Sequence, residues 1–391
     1  MDASVHGDVV VVGGGPAGLY CAIQLARYGF KTVLVEEHAS VADKVLCTGI
    51  IGADAFREFP LPRESIVGTL SSVKAITHHG TELPYTPQQP LAYVVDKGAF
   101  NRALAAGAVS TGALLHTSTR VQHIAVTGAQ VRLRATTAEG ESLSVHAALA
   151  VLACGVNYQL TKHLGLGAPC EFLQGAQAEV PWVWTEGTEV HLNKAFSPEA
   201  FAWVVPLQNR STRVGVMRAR QARGALERIL DQLVPQWRGR LDIRLAAKPI
   251  AQTPLRRSYA ERVLVIGEAA GQVKATTGGG IYYGLLAAQM AADTIHTAFD
   301  TGDFSAAGLR TYERAWRALL ADELTLGLWF RKLYGWLGDR QIDNLLQAIA
   351  HNGLKDVIRR QAHFDWHREL ITELGRRLPL GKLALGTLLG L

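Results

Sequence analysis

With 391 residues, nearly half of them apolar, the chain can bury a large core and is long enough for about two to three domains. Lys and Arg number 40 and Asp and Glu 34, leaving +6; this is too modest a surplus to argue for nucleic acid, and it suits an acidic protein partner or an anionic membrane surface equally well. Cys21, Cys47, Cys154 and Cys170 are widely scattered, which excludes the usual CxxC spacing of zinc and iron–sulfur sites and fits a reducing compartment.

The opening MDASVHGDVVVVGGG has no basic leader-type segment and runs straight into a strand. No uncharged apolar run reaches about 18 residues, so the expectation is a cytoplasmic protein without a spanning helix. Residues 8–37, DVVVVGGGPAGLYCAIQLARYGFKTVLVEE, read as strand, glycine turn, helix, strand. Gly13, Gly15 and Gly18 match GxGxxG, and Glu36 ends the second strand about 20 residues later, as a dinucleotide site requires. Gly13 permits the tight turn, Gly15 lets a pyrophosphate approach and Gly18 lets helix and strand pack closely. The helix N-terminus then faces the phosphate charge, and Glu36 can accept hydrogen bonds from a ribose. This motif alone does not separate FAD from NAD.

A second apolar strand, RVLVIGEAAG (262–271), returns far downstream, too distant to belong to the first unit, and leads into QVKATTGGGIYYGLLAAQMAA (272–292). A late strand followed by an acid and a glycine-initiated helix resembles the FAD-binding half of the glutathione-reductase-type flavoproteins. That resemblance implies that Glu268, where the family usually has Asp, holds flavin hydroxyls. It also implies that Gly278, Gly279 and Gly280 let backbone N–H groups approach the isoalloxazine edge without Cβ clashes. VVDKGAFNRAL (94–104) is similar to the family's DRxxFDxxL element, with Lys97 in place of Arg. ALAVLACGVN (148–157) is similar to the strand ending in ADG, with Cys154 in place of Asp; Cys154 itself reads as a small buried packing residue.

KVLCTG (44–49), SPEAFAWVVP (197–206) and VKATTGGGIYYGLLAA (273–288) resemble the KxCGG, PxxYxWxFP and VxPxTGGGIxYA segments of the geranylgeranyl reductase family. The landmarks run from residue 8 to about 295, and beyond that only the helical character and LGDRQIDNLLQAI (337–349) match. The resemblance implies an FAD-dependent reductase of prenyl carbon–carbon double bonds, with an isoprenoid lipid as substrate. It puts Gly13, Gly15, Pro16, Ala17, Gly18, Glu36, Cys47, Thr48, Lys97, Val121, Gly267, Glu268, Gly279, Gly280 and Ile281 at the cofactor. Cys47 becomes the candidate catalytic residue beside flavin N5, and Phe201, Trp203 and Pro206 the candidate substrate-binding residues. A single Rossmann-type fingerprint means that electrons arrive from transient NAD(P)H or from a reduced ferredoxin- or flavodoxin-type protein, for which a basic chain suggests an acidic donor.

The expected fold is α/β: a Rossmann-type FAD-binding domain discontinuous over 1–67, 91–155 and 253–300, an antiparallel β-sheet substrate domain from 68–90 and 156–252, and a C-terminal helical region over 304–391. VPWVW (180–184), FAWVV (201–205) and VGVM (214–217) read as strands of that sheet. From Phe304 onward, 13 basic against nine acidic residues carry +4 of the total charge. Trp316, Trp329, Phe330, Tyr334 and Trp336 are interleaved with Arg317, Arg331 and Lys332, and the chain ends in RRLPLGKLALGTLLGL. The pattern suits either a helical cap or a peripheral contact at the inner face of a membrane. His363 and His367 would share a helix face around Asp365, without a third ligand to make a metal site. A same-fold alternative is a flavin monooxygenase, hydroxylase or halogenase; against it stand Cys154 in place of the Asp and the absence of a WxWxIP segment. A quinone-linked dehydrogenase would want a cysteine cluster. From another class, the chain could be a non-catalytic flavin-binding, membrane-docking protein.

Overall fold

The computed structural model describes residues 3–43, 46–238, 243–351 and 354–377. Its central sheet has six strands in the order Tyr259–Ala260, Val263–Val265, Leu149–Leu152, Val9–Val12, Thr32–Val35 and Leu114–His116. All neighbours are parallel except the first pair. Val9–Val12, Thr32–Val35 and Leu149–Leu152 are buried at every position. That is the run-like signature of parallel strands covered on both faces. One face carries the helices Pro16–Arg27, Lys97–Ser110 and Ile281–Thr301. On the other, Val10, Val33 and Leu152 pack against a four-stranded sheet built from Ala3–His6, Ser142–Ala147, Gln130–Thr137 and Thr119–Thr127.

A seven-stranded sheet stands beside this core, in the order Ala246–Ala251, Phe172–Val180, Thr212–Arg218, Ala202–Pro206, Thr188–Leu192, Val73–Thr77 and Glu82–Tyr85. Its pairings are antiparallel except where Thr188–Leu192 runs parallel to Val73–Thr77. The strand read through 180–184 stops at Val180: Pro181 has no N–H for the ladder, and Trp182 and Trp184 instead pack against the cluster of Leu226, Ile229 and Leu230. Ile50–Gly52, Ala92–Val95 and Ile66–Leu70 form a small fourth sheet.

The C-terminal region is helical at Ala306–Trp336, Asp339–His351, Leu354–Gln361 and Arg368–Arg377. Trp316 is fully buried, whereas Trp329 and Trp336 are 64% and 56% exposed. Residues 362–367 form a loop, so His363 and His367 do not share a helix face. Among the described residues, no helix is long and apolar enough to cross a membrane. The apolar ending from 378 to 391 lies outside the described residues.

Candidate functional site

The carboxyl ends of the parallel strands open onto a cleft of about 420 Å³. Ligand clefts of α/β sheets characteristically lie at that edge. The first wall is the glycine turn. Gly13 has φ +111°, and a Cβ there would lie 2.4 Å from the Ala153 carbonyl oxygen. A Cβ on Gly18 would come within 2.0 Å of the Gly13 carbonyl oxygen, so this glycine serves helix packing and stands off the cleft. Gly15 differs: its backbone is ordinary extended chain, and nothing lies within 4 Å of an added Cβ. Folding does not require glycine there, whereas close approach of a ligand to the helix N-terminus does. No side chain caps that end of the helix Pro16–Arg27, which leaves its N–H groups to an anion.

Glu36 is buried beneath this turn. Its Oε2 accepts the Gly14 N–H at 2.7 Å, and its Oε1 accepts the His38 N–H at 2.9 Å and meets His38 Nδ1 at 2.7 Å. It therefore braces the turn as well as lining the cleft, and a carboxylate with about four lone-pair positions keeps acceptor capacity for hydroxyls.

The rest of the cleft is assembled from distant segments. Cys47, Lys97, Lys248 and Glu268 line it together with Gly278, Gly279 and Gly280. Gly278 has φ +71°, the left-handed region. Cβ atoms on Gly279 and Gly280 would stand 3.0 Å from Lys274 Cε and Val273 Cγ2, so internal packing as well as ligand approach excludes side chains here. Gly280 then caps the helix Ile281–Thr301, which therefore does not start at Gly267; a short 3₁₀ turn, Gly267–Ala270, and the glycine loop intervene.

Glu268 Oε2 pairs with Lys248 Nζ at 3.2 Å. Burial works against the Lys248 charge, but the carboxylate outweighs it and holds the ammonium above its usual pKa. Lys97 is buried and donates to Asn101 Oδ1, while Asn101 Nδ2 donates to the Val41 carbonyl at 2.8 Å. Burial brings the Lys97 pKa down to about 8. Cys47 Sγ accepts the Gly49 N–H at 3.3 Å. Cys154, read from the sequence as a buried packing residue, is instead half-buried and lines the cleft; it donates weakly to the Val12 carbonyl at 3.7 Å, and desolvation pushes its thiol up to about 12.

Of the residues read from the sequence, Gly13, Gly15, Pro16, Ala17, Glu36, Cys47, Lys97, Val121, Gly267, Glu268, Gly279, Gly280 and Ile281 line this one cleft. Thr48 does not: its hydroxyl donates to Gln177 Oε1 at 2.6 Å. Phe201, Trp203 and Pro206 also stand away from it. Phe201 and Trp203 pack on Met217 and Ile250, the side chains directly behind Gly278, while Pro206 closes the strand Ala202–Pro206 opposite Thr212. Lys248 and Asn101 are not anticipated by the motifs. A lysine in the apolar strand AAKPIA is the one signal that could have marked Lys248; nothing in the sequence singles out Asn101.

A cleft lined by an uncapped helix N-terminus, a buried acid, a glycine loop and a Lys–Glu pair fits FAD. Residues 6–324 match the family described as an FAD binding domain. The chain is 27% identical over 368 residues to digeranylgeranylglycerophospholipid reductase 2 of Methanothermobacter thermautotrophicus, covering 90% of this chain and 93% of that one. It is 28% identical over 371 residues to the digeranylgeranylglycerophospholipid reductase of Methanoculleus marisnigri, covering 89% and 92%. In fold it resembles a geranylgeranyl bacteriochlorophyll reductase-like protein from Thermoplasma acidophilum (TM-score 0.87, 19% identity, 98% and 100% covered) and a flavin-dependent brominase (TM-score 0.73, 16% identity, 96% and 100% covered). The resemblance read from the glycine and cysteine motifs is thus matched by relatives along nearly the whole chain, and with residues 6–324 in one continuous match the protein belongs to the FAD-binding-domain family.

Proposed function

We propose that the protein is an FAD-dependent reductase that saturates carbon–carbon double bonds of a geranylgeranyl-type isoprenoid chain. The observation that carries this reading is that the Cys47 loop and the Gly278–Gly280 loop, remote from each other in the chain, line one cleft, in a chain whose sequence relatives are named as reductases. Likeness to the brominase is a likeness of fold alone.

FAD, when bound and reduced, would supply a hydride to one alkene carbon, and a proton from water or an acid group would complete the other. The protein's residues have four tasks. Gly15 and the adjoining helix N-terminus take the pyrophosphate charge, with Glu36 at the ribose. Glu268, neutralised by Lys248, holds hydroxyl groups rather than moving a proton. The glycine loop would admit the edge of the flavin ring, with Cys47 among the residues that line the same cleft. An isolated alkene has no carbonyl to activate it, so the site must exclude water and preorganise the reacting atoms. The apolar cluster of Leu173, Met217, Ile250, Phe201 and Trp203 lies directly behind Gly278 as packed core that backs the glycine loop, outside the cleft itself. Electrons come from NAD(P)H or an acidic ferredoxin- or flavodoxin-type protein. A substrate this apolar is collected at a membrane surface, where exposed Trp329 and Trp336, flanking Lys332, suit the interfacial zone.

The test is anaerobic. Protein reduced with dithionite is mixed with a geranylgeranyl lipid, and flavin absorbance is followed together with the lipid mass. The expected result is flavin re-oxidation with a gain of two hydrogens per double bond. In Cys47→Ala, FAD stays bound and turnover falls. A flavin that stays reduced with every prenyl lipid offered refutes the reading.

A further inference from the structure

The segment that carries Cys47 has little structure of its own, yet it is held from outside. Arg213 lies in the strand Thr212–Arg218 of the seven-stranded sheet, opposite Glu179, and is buried, at 8% exposure. Its Nη1 donates to the Thr48 carbonyl at 2.6 Å and to the Val95 carbonyl at 3.0 Å, and its Nε donates to Glu179 Oε2 at 3.0 Å. Thr48 follows Cys47, and Val95 ends the strand that leads through Asp96 into the helix bearing Lys97. Gln177, on the same face as Glu179 of the neighbouring strand, adds a second grip: Oε1 accepts the Thr48 hydroxyl at 2.6 Å and Nε2 donates to the Cys47 carbonyl at 3.5 Å.

Gly49 completes the arrangement. It has φ +78°, and a Cβ there would lie 2.4 Å from the Val95 carbonyl oxygen and 3.1 Å from Arg213 Nη1. The glycine lets the loop turn tightly enough for one guanidinium to reach both carbonyls. A lysine in place of Arg213 offers one ammonium without the planar fork, and methionine offers no donor.

We propose that Arg213, assisted by Gln177, is the positioning residue of the candidate active site: it ties the seven-stranded sheet to the Cys47–Gly49 loop and to the start of the Lys97 helix. Its consequence for turnover rests on the reductase reading above; its consequence for Cys47 does not. Any movement of that sheet is transmitted to the Cys47 thiol and the Lys97 ammonium together, because the same nitrogen holds both backbones.

The experiment uses the full chain carrying Cys170→Ser, which removes the exposed thiol. FAD-free protein is treated with iodoacetamide, and the Cys47 peptide is followed by mass spectrometry. Arg213→Met should speed alkylation about tenfold, the equivalent of losing one hydrogen bond to a charged group, and Arg213→Lys should restore part of the protection. With FAD and a prenyl lipid, kcat should fall about 100-fold while KM changes little, as for a misplaced reacting group. Should Arg213→Met fail to fold, Gln177→Ala is read in the same way, with a smaller effect in the same direction. Folded variants whose Cys47 alkylates at the wild-type rate overturn the proposal. Faster alkylation in a protein that reduces no prenyl chain leaves the positioning role standing and removes the reductase reading alone.

Discussion

Gly15 separates what the fold needs from what the cofactor needs. Its φ of −76° and ψ of 173° suit any residue, and a Cβ meets nothing within 4 Å, so in FAD-free protein Gly15→Ala should be neutral or stabilising by about 0.4–1 kcal/mol through the stiffer unfolded chain. Gly18→Ala should do the opposite. Its Cβ would sit 2.0 Å from the Gly13 carbonyl oxygen and 3.1 Å from Ala153 Cβ, an overpacking that costs about 1–3 kcal/mol without any ligand. For FAD the ranking reverses. Gly15→Val places two methyl groups where the pyrophosphate meets the helix N-terminus; a clash of about 1–3 kcal/mol raises Kd roughly 5- to 150-fold. Deflavinated variants are titrated with FAD by flavin fluorescence and melted by circular dichroism. A Gly15→Val protein with wild-type Kd, or a Gly15→Ala protein that melts as early as Gly18→Ala, refutes the assignment of this wall to the pyrophosphate.

Glu268→Gln should leave Lys248 without its partner and loosen FAD while turnover at saturating FAD changes less; the reverse pattern in a flavin titration paired with turnover would make Glu268 a proton donor. Asp365→Asn should cost about 3–5 kcal/mol in urea unfolding, because Lys274, buried with it at 2.5 Å, loses its counter-ion. FAD should weaken in the same variant, since Lys274 packs beneath Gly279. His367 sets an acid limit. Burial first, and then the nearby Lys274 charge, bring its pKa to about 3. The unfolded chain takes up that proton near pH 6.5 and the folded chain does not, so stability falls as pH drops from about 6.5 towards 3. Urea midpoints at pH 7 and pH 5 should differ less in His367→Gln than in wild type, and an equal difference would remove His367 from the account.

The glycine-turn wall of the cleft was legible because its chemistry is local. A tight turn, a close approach and an acid at the next strand end follow one another within a single strand–turn–helix–strand unit, and each leaves its own residue type. Lys97 and Glu268 were legible for the same reason, as single replacements inside otherwise intact segments. Lys248 and Arg213 were not. Each is an ordinary basic residue in a β-strand, and its meaning lies in partners far away: Glu268 for one, and the Thr48 and Val95 carbonyls for the other. Residues 362–367 misled for a related reason. The spacing of His363 and His367 is helical, but Asp365 between them is committed to Lys274 and its carbonyl to the Tyr283 hydroxyl at 2.8 Å. His367 is likewise committed: its Nδ1 lies 2.8 Å from the Thr276 hydroxyl and its Nε2 lies 3.0 Å from the Phe364 carbonyl. Tertiary bonds outrank the local pattern there.

That loop also changes how the C-terminal region is understood. The Phe364 and Asp365 carbonyls, the Asp365 carboxylate and the His367 ring all close on residues 274–283, the segment that contains the glycine loop. The Tyr283 ring packs on Trp366, and a Cβ on Gly52 would collide with the Asp365 carboxylate. One short loop therefore touches the underside of both the Gly278–Gly280 turn and the strand that leaves the Cys47 loop. The family match ends at residue 324, before this loop begins. Geometry at the glycine loop thus depends on a segment that the FAD-binding unit does not itself contain. A region that could have been only a cap is bonded through this loop to Lys274, Thr276 and Tyr283, so substitutions near residue 365 should act on flavin binding as well as on stability.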